Sequence, residues 1–471
     1  MPLVTATPGA GRSTVSAGAL AAARAGLLLI TLAAFAIRAY PILNTPEAYR
    51  NGLGPFGDSF VYHTFAFNLL KGHGYTATAG PDTFGTHPPA STPIAFVPGI
   101  FRPPAYPFFL AGIYRLSADP NTVIPAQAWR IIWDRVRLVQ AGLDSTVCLL
   151  VFGLVCAASP GARRPALLAA ALYAVCPYPI YYTRALLSEC LTTWSVAAFL
   201  LCAARAIRGP TGPWFALAGA ALGLAALSRP EYALFGGVFG LVLLWRSRSA
   251  MAQALRRLLP LLCGAGFVIA PWTARNARVF RAPILISSGG WGGNLYFGAV
   301  LTRENWQWWW SERYPDSLFM DAQERDRFLA FRQQYLTTLI DGTLEQIRAR
   351  DRAFFGLTLD RLRRRPLAVV KNWLAKIPRL WYLRPIRFYR DPEAGPWIAL
   401  GYLLLAGWGW GRAAPEQRRV MMPVGLLALY LTIVLLPLHV ESRYSVPAMP
   451  GLAGLAGLGV ARLLLPRRLS G

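Results

Sequence analysis

The sequence predicts an all-α polytopic membrane protein with about ten transmembrane helices, and three observations predict it. Apolar residues make up 55% of the 471 and charged residues only 15%, with a mean hydropathy of +0.37. A soluble chain carries about a quarter charged residues. The apolar excess falls in separated blocks of about 20 residues, each long enough to cross a hydrocarbon core of ~30 Å. Basic residues in the short connections then alternate so as to fix a sidedness.

A polar tail, 1–18, comes first and is read as cytoplasmic. The first span follows at 19–40. It is too long an apolar run for a signal peptide, and Arg38-Ala39-Tyr40 is a poor cleavage site, so it is expected to be retained. An outward loop, 41–135, is interrupted by proline, and its two short apolar stretches at 60–70 and 106–116 read as helices lying in the interface. Spans are expected at 136–157, 165–183, 186–204, 214–228, 231–245 and 255–273, which complete an N-terminal membrane module, 19–274.

A second long polar segment, 275–394, carries charged residues at helical spacing from Asp321 to Arg365, broken only at Gly342 and Gly356. It reads as a small helical extracytoplasmic subdomain. Trp306 and Trp308-Trp309-Trp310 suit the membrane interface, with stacking on a sugar as the sharper alternative. C-terminal spans at 396–411, 420–438 and 446–464 occupy 395–465, before a cytoplasmic tail, 466–471.

Arg163-Arg164, Arg205 and Arg208, the group Arg246, Arg248, Arg256 and Arg257, the group Arg412, Arg418 and Arg419, and Arg467-Arg468 all fall on one side. The excess of basic residues in short loops makes that side the cytoplasm. The other connections, and both long segments, then face outward, as expected of a multi-pass protein of the inner (plasma) membrane. The same reading accounts for the formal net charge of +26 without nucleic acid, because the arginines serve topology and meet anionic headgroups. The six cysteines lie in or beside apolar blocks with no Cys-x-x-Cys pair, which argues against a disulfide framework or thiolate metal site.

The polar chemistry collects on the outward side. Asp58 and Tyr62 lie in Gly57-Asp58-Ser59-Phe60-Val61-Tyr62, followed by His63 and Lys71. Arg102 and Tyr106 lie in Phe101-Arg102-Pro103-Pro104-Ala105-Tyr106-Pro107. Arg184 and Ser188-Glu189 occupy one outer turn, Ser228-Arg229-Pro230-Glu231 another, and His439-Val440-Glu441-Ser442-Arg443-Tyr444 a third. Arg275 ends the 255–273 span. Taken singly, each arginine reads as an interfacial anchor. Taken together, Arg102, Arg184, Arg229, Arg275 and Arg443 form a ring of guanidiniums at headgroup level that suits a lipid-linked phosphate. Asp58 is either a helix N-cap or a general base on a hydroxyl. His63, His87, Asp58 and Glu189 are the residues that could hold a divalent metal, although their spacing matches no compact ligand motif. No cofactor is otherwise indicated. No charged residue is expected in mid-span.

The order of these motifs, with Pro271-Trp272-Thr273-Ala274-Arg275-Asn276 and Gly292-Gly293-Asn294-Leu295-Tyr296-Phe297-Gly298, resembles the GT-C membrane glycosyltransferases from about residue 19 to 460. The nearest group is the dolichyl-phosphate-mannose-protein mannosyltransferase-like family 39. The resemblance implies transfer of a sugar from a polyprenyl-phosphate donor to an acceptor hydroxyl at the outer face, with inversion. It implies Asp58 as catalytic base and Glu189 as the acidic residue of the second outward loop. Tyr62, Lys71, Arg102, Tyr106, Arg184, Arg229, Glu231, Arg275, Asn294 and Arg443 are the expected substrate-binding set. Many relatives carry Asp-Glu where this chain has Asp58-Ser59, a departure that bears on any metal role. The acceptor is open among protein, lipid and glycan. A transporter or flippase of a lipid-linked sugar is the alternative from another class.

Overall fold

The computed structural model describes residues 17–44, 57–79, 95–209, 212–248, 250–300, 319, 321–335, 343–381 and 394–464. His87, Trp306, Trp308-Trp309-Trp310 and Arg467-Arg468 lie outside them. The fold is a bundle of α-helices. In order they are α1 (Ala17–Leu43), α2 (Gly57–Leu70), α3 (Ala105–Ser117), α4 (Ala126–Ala158), α5 (Arg163–Ala174), α6 (Pro177–Tyr182), α7 (Glu189–Arg208), α8 (Gly212–Ser228), α9 (Glu231–Arg246) and α10 (Met251–Phe280). There follow α11 (Trp291–Val300), α12 (Ala322–Tyr335), α13 (Leu344–Arg364), α14 (Pro366–Leu374), α15 (Ile377–Trp381), α16 (Ala394–Arg412), α17 (Pro415–Leu435) and α18 (Met449–Leu464). A 3-10 turn, Ser442–Ala448, leads into the last helix.

A helix lies over each of the ten expected spans. Among the described residues, six helical segments are both long and apolar enough to cross a membrane, and α8 is a shorter apolar helix. The 165–183 span is two helices rather than one. Pro177 has no N–H to donate and starts α6 after a break at Val175–Cys176. The stretches expected at the interface are helical, as α2 and α3. Between them, β1 (Thr76–Ala79) pairs antiparallel with β2 (Ala95–Pro98), Thr76 opposite Pro98, a hairpin that was not expected. Threonine in β1 and Phe96-Val97 in β2 suit a short strand.

Lipid and protein faces are distinct. Helix α1 turns Leu28, Leu29 and Leu32 outward, as α10 does Phe267. Lipid tails are as apolar as leucine, so helices associate by close packing of small residues. Helices α8 and α10 meet through Gly219 and Gly264, where an added Cβ would strike the carbonyls of Leu261 and Ala216 respectively. Helices α16 and α18 approach in the same way at Gly409, against Leu455.

One expectation is corrected. Asp144 lies in the middle of α4, fully buried, and is paired with Arg38 of α1 at 2.6 Å. Tyr173 Oη donates to the same carboxylate at 2.7 Å, and Arg38 Nη1 also donates to the carbonyl of Ala174, at the break after α5. Charge therefore does sit within a span, and local partners hold it.

The long polar segment is mostly helical among the described residues, apart from 281–290, and Gly342 lies outside them. Gly356, expected as a break, lies inside α13, which starts with a reciprocal cap between Thr343 and Gln346. Tyr296, Phe297, Val300, Phe319, Phe328 and Phe354 form a small separate core. Glu324 pairs with Arg361 at 2.8 Å and Asp321 with Arg364 at 2.7 Å around it.

Candidate active site

Five segments remote in sequence place charged groups around one cavity of about 140 Å³. Asp58 enters from the first turn of α2, where a carboxylate is favoured by the helix dipole. Glu189 enters at the first turn of α7. Arg229 and Glu231 flank Pro230 between α8 and α9, and Arg443 follows the loop after α17. Arg102 comes from the loop before α3.

The groups interlock. Asp58 Oδ1 accepts from Arg102, and its Oδ2 accepts from Arg443 Nη2 at 2.9 Å. Arg443 also pairs with Glu441 at 2.8 Å and approaches Glu189 at 3.6 Å. Arg229 bridges Glu189 at 3.1 Å and Glu231 at 2.6 Å, and lies over the Tyr444 ring at 4.4 Å. His439 Nε2 is 3.4 Å from Glu441. Removing each ion from water costs several kcal/mol, so such a cluster forms only if opposite charges satisfy one another.

The balance decides the proton states. Burial alone would push the Asp58 carboxyl up, but the guanidiniums of Arg102 and Arg443 outweigh it and hold the group below the ordinary carboxylate range. Glu441 is also held below its ordinary range, because Arg443 and the bond from His439 overcome its burial. Four carboxylates, Asp58, Glu189, Glu231 and Glu441, face three guanidiniums, Arg102, Arg229 and Arg443. The expected ring of guanidiniums is therefore a mixed ring of acids and bases. Arg102 is its most open cation, with 26% of its side chain exposed against 9% for Arg443. Oε2 of Glu189 and Oγ of Ser228 are buried at the cavity with no hydrogen-bond partner.

Of the expected site residues, Asp58, Tyr62, Arg102, Glu189, Arg229, Glu231, Asn294 and Arg443 line this cavity. The other four lie elsewhere. Lys71 Nζ donates to the carbonyls of Pro120 and Thr122 at 2.7 and 2.6 Å. Arg275 spans the open end of the hairpin, donating to Gly99 and Tyr75 carbonyls at 2.8 and 3.0 Å. Tyr106 lies beneath the floor, edge-on to Tyr62 and donating to Gln140 Oε1 at 2.7 Å. Gln140 in turn donates to the carbonyls of Thr183 and Ala185, just ahead of Glu189. Arg184 sits in that same stretch, its carbonyl accepting from Arg137 at 3.0 Å.

Sequence reasoning missed Trp291 and Phe101, which also line the cavity. The signal for Trp291 was Gly289-Gly290-Trp291-Gly292-Gly293, where small neighbours leave a large ring uncovered. His63 lies apart, with Nδ1 3.0 Å from Tyr114 Oη and its ring edge-on to Trp129, and burial lowers it to about 4. Among the described residues no three His, Cys, Asp or Glu side chains group to hold a metal ion. Both oxygens of Asp58 are taken by guanidiniums, so these residues do not fit a divalent cation.

Residues 102–273 match the family model described as dolichyl-phosphate-mannose-protein mannosyltransferase. No curated protein matches the chain by sequence. By structure, the chain is similar to the Archaeoglobus fulgidus oligosaccharyltransferase tethered to an acceptor peptide containing the NVT sequon. The TM-score is 0.55 at 12% identity, over 94% of this chain and 49% of that one. It is also similar to the archaeal oligosaccharyltransferase AglB from Archaeoglobus fulgidus in complex with an inhibitory peptide and a dolichol-phosphate. There the TM-score is 0.54 at 12% identity, over 95% and 51% of the two chains. The chain thus spans about half the length of these relatives. It is a membrane protein that shares the fold of these oligosaccharyltransferases, and its residues 102–273 match the model of the dolichyl-phosphate-mannose-protein mannosyltransferase family that its motifs resemble.

Proposed function

We propose that this protein is an integral-membrane glycosyltransferase that moves a sugar from a polyprenyl-phosphate donor to an acceptor hydroxyl at the extracytoplasmic face of the plasma membrane. The observation that carries the reading is Asp58 held between Arg102 and Arg443, three residues brought from distant parts of the chain to one cavity. A carboxylate beside guanidiniums supplies a base for a hydroxyl and counter-charge for a phosphate leaving group. The dolichol-phosphate bound in the archaeal relative supports a lipid phosphate here.

In this reaction the acceptor hydroxyl gives its proton to Asp58 while its oxygen attacks the anomeric carbon. The bond from that carbon to the phosphate oxygen breaks, and polyprenyl phosphate leaves. One displacement inverts the anomeric centre. The charge on the leaving phosphate is met by Arg102, the most open cation, and by Arg443. Because Arg102 already holds Asp58 Oδ1, phosphate binding competes for the same guanidinium and frees that oxygen for the acceptor. The base is thereby exposed when donor is present. Glu189, Arg229 and Glu231 keep Arg443 and the cavity wall in register.

A domain arrangement accompanies this reading: ten crossings, with the helices of 275–394 outside the membrane beside the site. The absence of charge in mid-span, expected from the sequence, counted against the transporter alternative. The Arg38–Asp144 pair is a charge within a span, but Tyr173 and the carbonyls of Ala34 and Ala174 engage it, and it does not line the cavity that holds Asp58. The test is purified protein in detergent with a panel of radiolabelled polyprenyl-phosphate sugars, measuring release of polyprenyl phosphate. Turnover by wild type and its loss in Asp58→Asn is the expected result. Equal release by both removes the base assignment, and transport into vesicles without release favours the alternative. Cysteine labelling that puts positions 58 and 189 on opposite sides of the bilayer rejects the site altogether.

A further inference from the structure

Trp291 is a large aromatic side chain at the cavity that the site reaction leaves unused. It lines the cavity with Asp58 and Arg102, yet 42% of it is exposed. Two features keep it there. Its flanks are glycines, and an added Cβ at Gly292 would run into the backbone of Asp351. The first turn of α11 is also pinned, since Asp351 Oδ1 accepts from the N–H groups of Gly290 and Gly292 at 3.1 and 3.0 Å. An exposed indole held on a fixed backbone at a polar cavity is costly to leave in water and suits a ligand with one apolar face. A pyranose ring has such a face, formed by its axial C–H groups.

The rest of the lining fits the ring's hydroxyls. Glu189 Oε2 and Ser228 Oγ lack partners, and Asn294 sits one turn along α11 from Trp291. A buried carboxylate oxygen accepts from a hydroxyl but repels an acidic sugar. We propose that Trp291 is the stacking platform for a neutral pyranose, with Glu189 and Ser228 as partners of its hydroxyls. The inference rests on the glycosyltransferase reading. It adds where the sugar lies and that a uronic acid is excluded. The ring could belong to the donor or to an acceptor glycan, and the experiment separates these.

The test is equilibrium binding of the full chain, in detergent, to polyprenyl-phosphate hexose, polyprenyl-phosphate uronic acid, bare polyprenyl phosphate and a free oligosaccharide. Wild type, Trp291→Phe and Trp291→Leu are compared, leucine keeping apolar bulk without an aromatic face. Wild type is expected to prefer the hexose lipid to the bare lipid and to the uronic acid lipid by about five- to tenfold. Trp291→Leu is expected to bring the preference over bare lipid close to one with bare-lipid affinity unchanged, while Trp291→Phe retains most of it. Unchanged bare-lipid binding also reports an intact fold. Should Trp291→Leu lower oligosaccharide binding alone, the platform stands and the ring it holds is the acceptor's. Equal weakening of both lipids makes Trp291 a membrane anchor, and full retention of the preference leaves it no role. Both outcomes overturn the platform while sparing the transferase reading. A wild type that binds none of the lipids overturns that reading itself.

Discussion

Two regions of this molecule bury charge, and they do so differently. Within the bundle, Arg38 and Asp144 are both fully buried, and the Asp144 carboxylate is shared between one guanidinium and Tyr173. At the cavity, acids and guanidiniums form a chain in which Arg229 and Arg443 each meet more than one carboxylate, Arg102 meets Asp58, and Glu189 keeps an oxygen unpartnered. The first arrangement ties α1, α4 and α5 together and leaves one buried guanidinium nitrogen, Arg38 Nη2, without a partner. The second opens on a cavity and leaves bonding capacity facing it. Burial of ionic groups is common to both. Unmet bonding capacity beside space is what separates a site from a clamp.

The largest expected effect falls on the site. Asp58→Asn should lower turnover of a polyprenyl-phosphate sugar by about a hundred- to ten-thousandfold while thermal unfolding in detergent stays close to wild type. Asp144→Ala should do the reverse. It strands the Arg38 guanidinium in the bundle and should cost about 3–5 kcal/mol of stability. Loss of folded protein on heating, read by size-exclusion, checks it. Arg38→Met with Asp144→Leu should recover most of that loss, since an apolar pair of similar volume replaces both charges. If Asp144→Ala leaves stability untouched and abolishes turnover, the contrast drawn here is wrong.

Smaller effects sharpen it. Arg102→Ala should raise the KM for donor by about tenfold, whereas Arg208→Ala, whose side chain donates to the carbonyl of Ala157 at the far end of the bundle, should leave it within about twofold. Arg275→Ala should act on the hairpin rather than on donor affinity, because its partners are the Gly99 and Tyr75 carbonyls. The pH profile gives the finest test. Asp58 must be ionised to accept a proton and its folded value is depressed, so kcat/KM should stay level as pH falls through the ordinary carboxylate range and drop only below it. The Arg102→Ala variant loses one of the two cations and should show its acid limb at higher pH. An acid limb unmoved by that change would detach Arg102 from the base.

Much of the fold was legible because a bilayer imposes a simple code: apolar blocks of sufficient length, and arginine on one side. The helices α2 and α3 were legible for the same reason, as short apolar stretches between prolines. The β1–β2 hairpin was not, because two four-residue strands leave almost no periodic signal. Asp144 was overlooked because one acid in a long apolar run changes the average little. At the site, residue types and sidedness selected Asp58, Arg102, Glu189, Arg229 and Arg443, which do meet. The same rule admitted Lys71, Arg184 and Arg275, since headgroup-level arginine and lysine look alike in sequence whether they face a cavity or clamp a carbonyl.

By itself, then, the sequence determined that this chain crosses a membrane, which ends of its helices share a side, and which chemistry gathers there. Those features follow from solvent transfer of side chains, which depends on composition along the chain. The tertiary structure decided who pairs with whom: that Asp58 lies between Arg102 and Arg443, that the guanidiniums are already matched by acids, and that Trp291 faces the cavity. Ion pairing and cavity shape depend on distances of a few ångströms between segments hundreds of residues apart, and spacing along one chain carries no record of them.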